Sequence, residues 1–134
     1  LALLARDAEL SRIVNLVGPE ALSDAQRWEL EGASLIKEGV LQQSALDEVD
    51  TFCSPQKQYA LLDLAITIYK RGAALIEIGV PVSELQGLPI LAKMRRLKSM
   101  YTSDQMDQIN AFRVDVNASM EEIRIEYAKQ GERA

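Results

Sequence analysis

Residues 55–79 read P-Q-K-Q-Y-A-L-L-D-L-A-I-T-I-Y-K-R-G-A-A-L-I-E-I-G, and this stretch decides the fold. Tyr59, Leu62, Ile66, Tyr69, Ala73 and Ile76 recur in steps of three and four, the spacing of one face of an α-helix. Leu61, Leu64, Ile68 and Leu75 make a second stripe beside the first. A helix apolar over so much of its girth is buried between neighbours. It is therefore expected to be the long buried central helix of a bundle. Ser54 before Pro55 places a cap ahead of a proline at the first helical position, and Gly79 with Pro81 closes the helix.

The same periodicity extends in both directions. Upstream, Leu3, Leu10, Val14 and Val17 repeat at helical spacing until Gly18-Pro19 stops the helix. Ser23 followed by Gln26 is a capping-box pattern, predicting a second helix through Trp28, Leu35 and Ile36 with Gly39 near its end. Downstream, Ser83 is placed to cap one short turn, and Pro89 begins a basic helix with Leu91, Met94 and Leu97 turned inward. Thr102 with Gln105 is a second capping box, opening a last helix whose inward seam is Met106, Ile109, Val116, Met120, Ile123 and Tyr127. No stretch alternates long enough to make a strand. The expected fold is all-α: one helical domain over 1–134, a bundle of about five to six helices.

Composition narrows the function. The 134 residues are 48% apolar, enough for a real core and too much for disorder. There is one Cys and no His, so neither a disulfide framework nor a Cys–His nucleophile is available, and the commonest general base and metal ligand are missing. No apolar run reaches the ~20 residues that cross a bilayer. Leu1 to Leu4 lack the cationic flank of a signal peptide, and a start without Met suggests a piece of something longer.

The net charge of −5 is uneven: −6 over 1–50, +4 over 57–101 and −3 over 102–134. An acidic chain is a poor ligand for nucleic acid. The one basic knot, Lys93, Arg95, Arg96 and Lys98, reads as the wet face of a helix or a contact for an acidic protein. Asp47, Glu48 and Asp50 lack the spacing of a calcium loop and read as loop and capping acids. Cys53 reads as a buried structural thiol, and Asn117-Ala118-Ser119 as a chance glycosylation pattern within a helix. No phosphate-binding G-x-x-x-x-G-K-[ST] loop occurs. Read from residues alone, the chain is a non-catalytic helical module that binds other protein.

Two stretches say more. One is I-V-N-L-V-G-P-E-A-L-S-D at 13–24; the other is L-I-K-E-G-V-L-Q-Q-S-A-L-D-E-V-D-T-F-C-S-P-Q-K-Q at 35–58. Together they resemble the C-terminal helical domain of the catalytic A subunit (alpha chain) of V-type and A-type rotary ATPases. The resemblance is close over 13–79 and weaker beyond. It implies a parent protein that binds ATP or ADP with Mg at an upstream P-loop and couples hydrolysis or synthesis to rotation and ion transport. The isolated domain would then hold no cofactor, no metal and no catalytic residue. Its implied partners are non-catalytic B subunits and the central-stalk rotor subunit, with no nucleic acid and no membrane insertion. Its implied place is cytoplasmic, peripheral to the membrane in the soluble head of the complex.

The resemblance also implies sites. Gln43, Ala45 and Leu46 fall where this family closes over the adenine ring. Leu46 departs from the usual Phe and Ser44 from the usual Asn, and the loss of a ring that stacks on a base for ~1–3 kcal/mol implies weaker adenine discrimination. A Leu46 serving only the core is the plainer alternative. Gly18, Pro19, Glu20, Ala21, Leu22, Ser23 and Asp24 resemble the D-E-L-S-E-E-D lever of the F-type β subunit, matched at Glu20, Leu22, Ser23 and Asp24. Ala21 and Ala25 lack charges that the lever offers. The implied roles are Leu22 as apolar anchor on the rotor and Glu20 and Asp24 as steering charges. The plainer alternative is a capped hairpin tip with Leu22 tucked inward. The competing function is an independent helical protein–protein interaction module.

Overall fold

The computed structural model describes residues 2–41, 55–100 and 106–133. Six α-helices occur among them: α1 (Ala2–Val17), α2 (Asp24–Ile36), α3 (Pro55–Glu77), α4 (Val82–Gln86), α5 (Pro89–Met100) and α6 (Met106–Arg133). A 3-10 turn, Pro19–Ala21, joins α1 to α2, and α2 runs on into a π-helical turn, Lys37–Leu41. The all-α bundle expected from the periodicity is the observed one.

Its centre is a pair of helices rather than α3 alone. α2 lies against α3, and α1, α4 and α5 pack around α2, while α6 covers α3 and α5. The pair approaches closely because two mid-helix glycines face two aromatics. A Cβ on Gly72 would stand 2.2 Å from Cζ2 of Trp28, and one on Gly32 would stand 2.7 Å from Cδ2 of Tyr69. The Trp28 indole is thereby fully buried, and its Nε1–H donates to the Tyr69 carbonyl at 2.8 Å, so burial leaves no unpaired donor.

Which stripe of α3 faces inward is settled by this pairing. Leu61, Leu64, Ile68 and Leu75 are the buried set; Leu62, Tyr69, Ala73 and Ile76 are only partly covered, and Tyr59 is 73% exposed. The more regular of the two stripes is thus the outer one. The seam of α1 also ends early, since Leu10 is buried but Val17 is exposed. The inward faces of α5 (Leu91, Met94, Leu97) and α6 (Ile109, Val116, Met120) lie as expected, with Phe112 added to the latter.

The basic knot is neither a wholly wet face nor a free cationic patch. Arg95 pairs with Glu31 and with Glu38, the latter at 2.6 Å, and Lys93 Nζ sits 5.2 Å from the centre of the Phe112 ring. Burial works against the Arg95 charge, but the two carboxylates outweigh it and raise its pKa. The Arg95 pairs tie α5 to α2 and to the π turn, and Lys93 ties it to α6.

Candidate functional site

The link between α1 and α2 is built to hold one shape. Gly18 has φ +92°, a conformation that side chains with a Cβ rarely adopt, and its N–H donates to the Val14 carbonyl at 2.9 Å, an αL helix stop. After one 3-10 turn, Ser23 caps α2 from an extended backbone. Ser23 Oγ accepts from Gln26 N at 3.2 Å, and Gln26 Oε1 accepts from Ser23 N at 3.0 Å, completing the box read from the sequence. The chain therefore reverses between two terminated helices within about six residues.

The structure departs from the expected roles within this tip. Leu22 is only 6% exposed and points into the bundle, so its side chain is an internal anchor rather than a free contact. Asp24 is exposed overall, yet its Oδ2 accepts the N–H of Val82 at 3.1 Å. That N–H opens α4, whose N-cap is Pro81 and which has no side-chain cap of its own; Ser83 lies inside the helix instead of capping it. Asp24 thus caps a helix 58 residues away. Glu20, Ala21 and Ser23 are exposed. Sequence reasoning passed over the larger apolar surface here: Leu16 is 77% and Val17 65% exposed, on the turn just before Gly18.

The other end of α2 carries the π turn Lys37–Leu41, in which a Cβ on Gly39 would meet the Met94 carbonyl oxygen at 3.1 Å. Gln43, Ala45 and Leu46 follow directly in the chain but lie outside the described residues, as do Asp47, Glu48, Asp50 and Cys53. A cavity of about 480 Å³ opens at the start of α3, lined by Pro55, Tyr59, Ala60, Met106, Asn110 and Arg113. Beside it, Arg113 pairs with Asp63 at 2.7 Å. Among the described residues, no group of three His, Cys, Asp or Glu side chains is placed to hold a metal ion, and no helix is long and apolar enough to cross a membrane.

A sequence profile for the C-terminal domain of V and A type ATP synthase matches residues 1–85. The chain belongs to this family. Similar curated proteins carry it through to the far end. A V-type ATP synthase alpha chain from Nitrosococcus oceani is 56% identical over 131 residues, 98% of this chain and 22% of that protein. The A subunits of the A-type ATP synthases of Thermococcus onnurineus and Methanopyrus kandleri are each 37% identical, over 95% and 92% of this chain and 21% of their own length. The chain thus spans about a fifth of the curated relatives it matches, and it corresponds to the C-terminal domain of the A subunit, or alpha chain, of a V/A-type ATP synthase.

Proposed function

We propose that this chain is the force-bearing end of a catalytic A subunit. As ATP or ADP with Mg enters and leaves an upstream site, the domain swings as a body, and residues 18–24 press on the central-stalk rotor, coupling hydrolysis or synthesis to rotation and ion transport. Non-catalytic B subunits flank it within the soluble head. The chain carries no G-x-x-x-x-G-K-[ST] loop, and the isolated chain is expected neither to hydrolyse nor tightly to bind ATP. Gln43, Ala45 and Leu46 would close over the adenine side.

The observation that carries this reading is the construction of the tip. Gly18 fixes the exit from α1, and Ser23 and Gln26 lock the entry into α2. α2 in turn is held on α3 by the Trp28–Gly72 contact. A load on Glu20 or Ala21 therefore passes into the centre of the bundle. With Leu22 turned inward, the contact would be made by backbone and by the side chains left exposed at the tip, Leu16 and Val17 among them. Exposed ion pairs contribute only ~0–1 kcal/mol, so shape outweighs charge in transmitting force. Replacing residues 19–22 with glycines in the assembled complex is expected to cut torque by more than half while ATP turnover partly survives. Unchanged torque would remove the tip from the mechanism. On the nucleotide side, Leu46→Phe is expected to raise ATP affinity and sharpen preference for adenine; no change in either would withdraw residues 43–46 from the pocket.

A further inference from the structure

The tip is not the only loop at its end of the bundle. The hydrogen bond from Val82 N to Asp24 Oδ2 sets the turn after α3 beside the start of α2. That turn is a fixed structure. Gly79 N donates to the Ile76 carbonyl at 3.0 Å and Val80 N to the Leu75 carbonyl at 3.1 Å, the paired bonds of a Schellman stop, with Gly79 at φ +105°. Val80 is buried beneath it, and Ile78 is left 53% exposed. Nothing lies within 4 Å of where a Gly79 Cβ would be, so the crest of this turn is open.

We propose that stretches 16–24 and 77–84 form one two-loop docking surface, and that its partner is a protein strip of apolar side chains edged with Lys and Arg. This deepens the rotor-facing reading and rests on it. Leu16, Val17 and Ile78 supply the apolar contact that Leu22, buried, does not. Glu20, Asp24, Glu77 and Glu84 are exposed within the same two stretches, and neither stretch contains a Lys or Arg. The nearest base along the chain is Arg27, which lines a groove behind the tip with Glu20, Leu22 and Gln86. Glu84 lies close enough to the Tyr127 hydroxyl to raise its pKa, chiefly by a side-chain hydrogen bond and then by burial of the phenol.

The charge pattern selects among occupants. A second copy of this chain would set carboxylate against carboxylate, and an anionic membrane surface or a nucleic acid would be repelled in the same way. A basic and apolar protein strip is attracted by the carboxylates and covers the three exposed side chains. On the rotor-facing reading, that strip belongs to the rotor polypeptide of the assembled complex.

A photoreactive benzoylphenylalanine at position 21 and, separately, at position 78 of the assembled complex tests this. Both are expected to capture the same rotor polypeptide. Both yields should fall at least twofold when salt is raised from ~0.1 M to ~1 M, as the screening length drops from ~10 Å to ~3 Å. Capture of the rotor from position 21 but not from 78 overturns the two-loop surface and leaves the tip reading standing. Capture from neither position overturns both. A second copy of this chain or any other component of the complex captured from position 78 overturns the assigned partner. Ile78→Ser, at a side chain already half in solvent, is expected to lower the crosslinking yield from position 21 at least twofold with an unchanged melting temperature; an unchanged yield counts against Ile78 as a contact.

Discussion

The α2–α3 junction and the α1–α2 tip are solutions of opposite kinds to one requirement, a fixed shape. At the junction, shape comes from long-range packing: an indole filling the space a Gly72 side chain would take, with its N–H on the Tyr69 carbonyl. At the tip, shape comes mainly from bonds between residues at most four apart, with the long-range bond from Val82 N to Asp24 and the inward Leu22 added to them. The first depends on volume and tolerates almost no change. The second depends on backbone conformation and on small polar bonds that can be removed singly. Under the proposed force-bearing role this division would let the tip vary without unseating the helix pair behind it.

The comparison breaks most readily at Gly72. Gly72→Ala is expected to lower the unfolding free energy of the isolated chain by ~3 kcal/mol or more, read by denaturant titration, since the added carbon meets a packed indole rather than a flexible chain end. Trp28→Phe in the same chain should restore part of that loss. If the single variant melts like the parent, the close approach of α2 and α3 is wrong.

At the tip the expected effects are smaller and separable. Gly18→Ala forces a Cβ into φ +92° and should cost ~1–2 kcal/mol. Ser23→Ala removes the cap and should cost ~1 kcal/mol, which Ser23→Asp largely avoids. Both should slow rotor-driven work in the complex more than their stability losses alone explain, whereas Gly72→Ala should lower work and stability together.

The smallest effect lies on the outer face of α6. A hydrogen bond from Arg124 holds the Glu121 carboxyl below its usual range, with further help from the Arg124 and Arg71 charges. A depressed folded-state pKa contributes stability that is present above the unfolded value and is lost as pH falls through the folded one. The side chain is in solvent, so the gain is slight. Arg124→Gln should move the Glu121 titration upward, by carboxyl NMR, with little change in melting temperature at neutral pH.

The same contrast explains what could be read from the chain. The tip's stops and caps are written in neighbouring residues, Gly18-Pro19 and Ser23 with Gln26, so sequence spacing sufficed for them. The inward faces of α5 and α6 were legible because each carries one apolar seam at helical spacing, although Val114 and Ile125 of α6 stay exposed outside it. The inner face of α3 was not, because both of its stripes are apolar and the choice between them is made by α2. Gly32 and Gly72, two glycines inside helices, were the available signal, since an unforced mid-helix glycine is destabilising by ~1 kcal/mol relative to alanine. The Asp24–Val82 bond, the Arg95 pairs and the inward turn of Leu22 had no local signature, and they change the expected tip roles most. Family resemblance supplied what neither periodicity nor composition could, the link from this bundle to an ATP synthase.

The central claim is that the domain swings as one body and does not bend at the tip. Spin labels on Ala21, at the exposed tip, and Ala92, exposed on α5, measure it in the assembled complex with Cys53 replaced by Ser. The distance distribution between them should be the same with ATP analogue, with ADP and without nucleotide, while the distance from Ala21 to a label on the rotor changes between those states. A distance from Ala21 to Ala92 that shifts with nucleotide would mean that the tip flexes on its own, and would contradict the account.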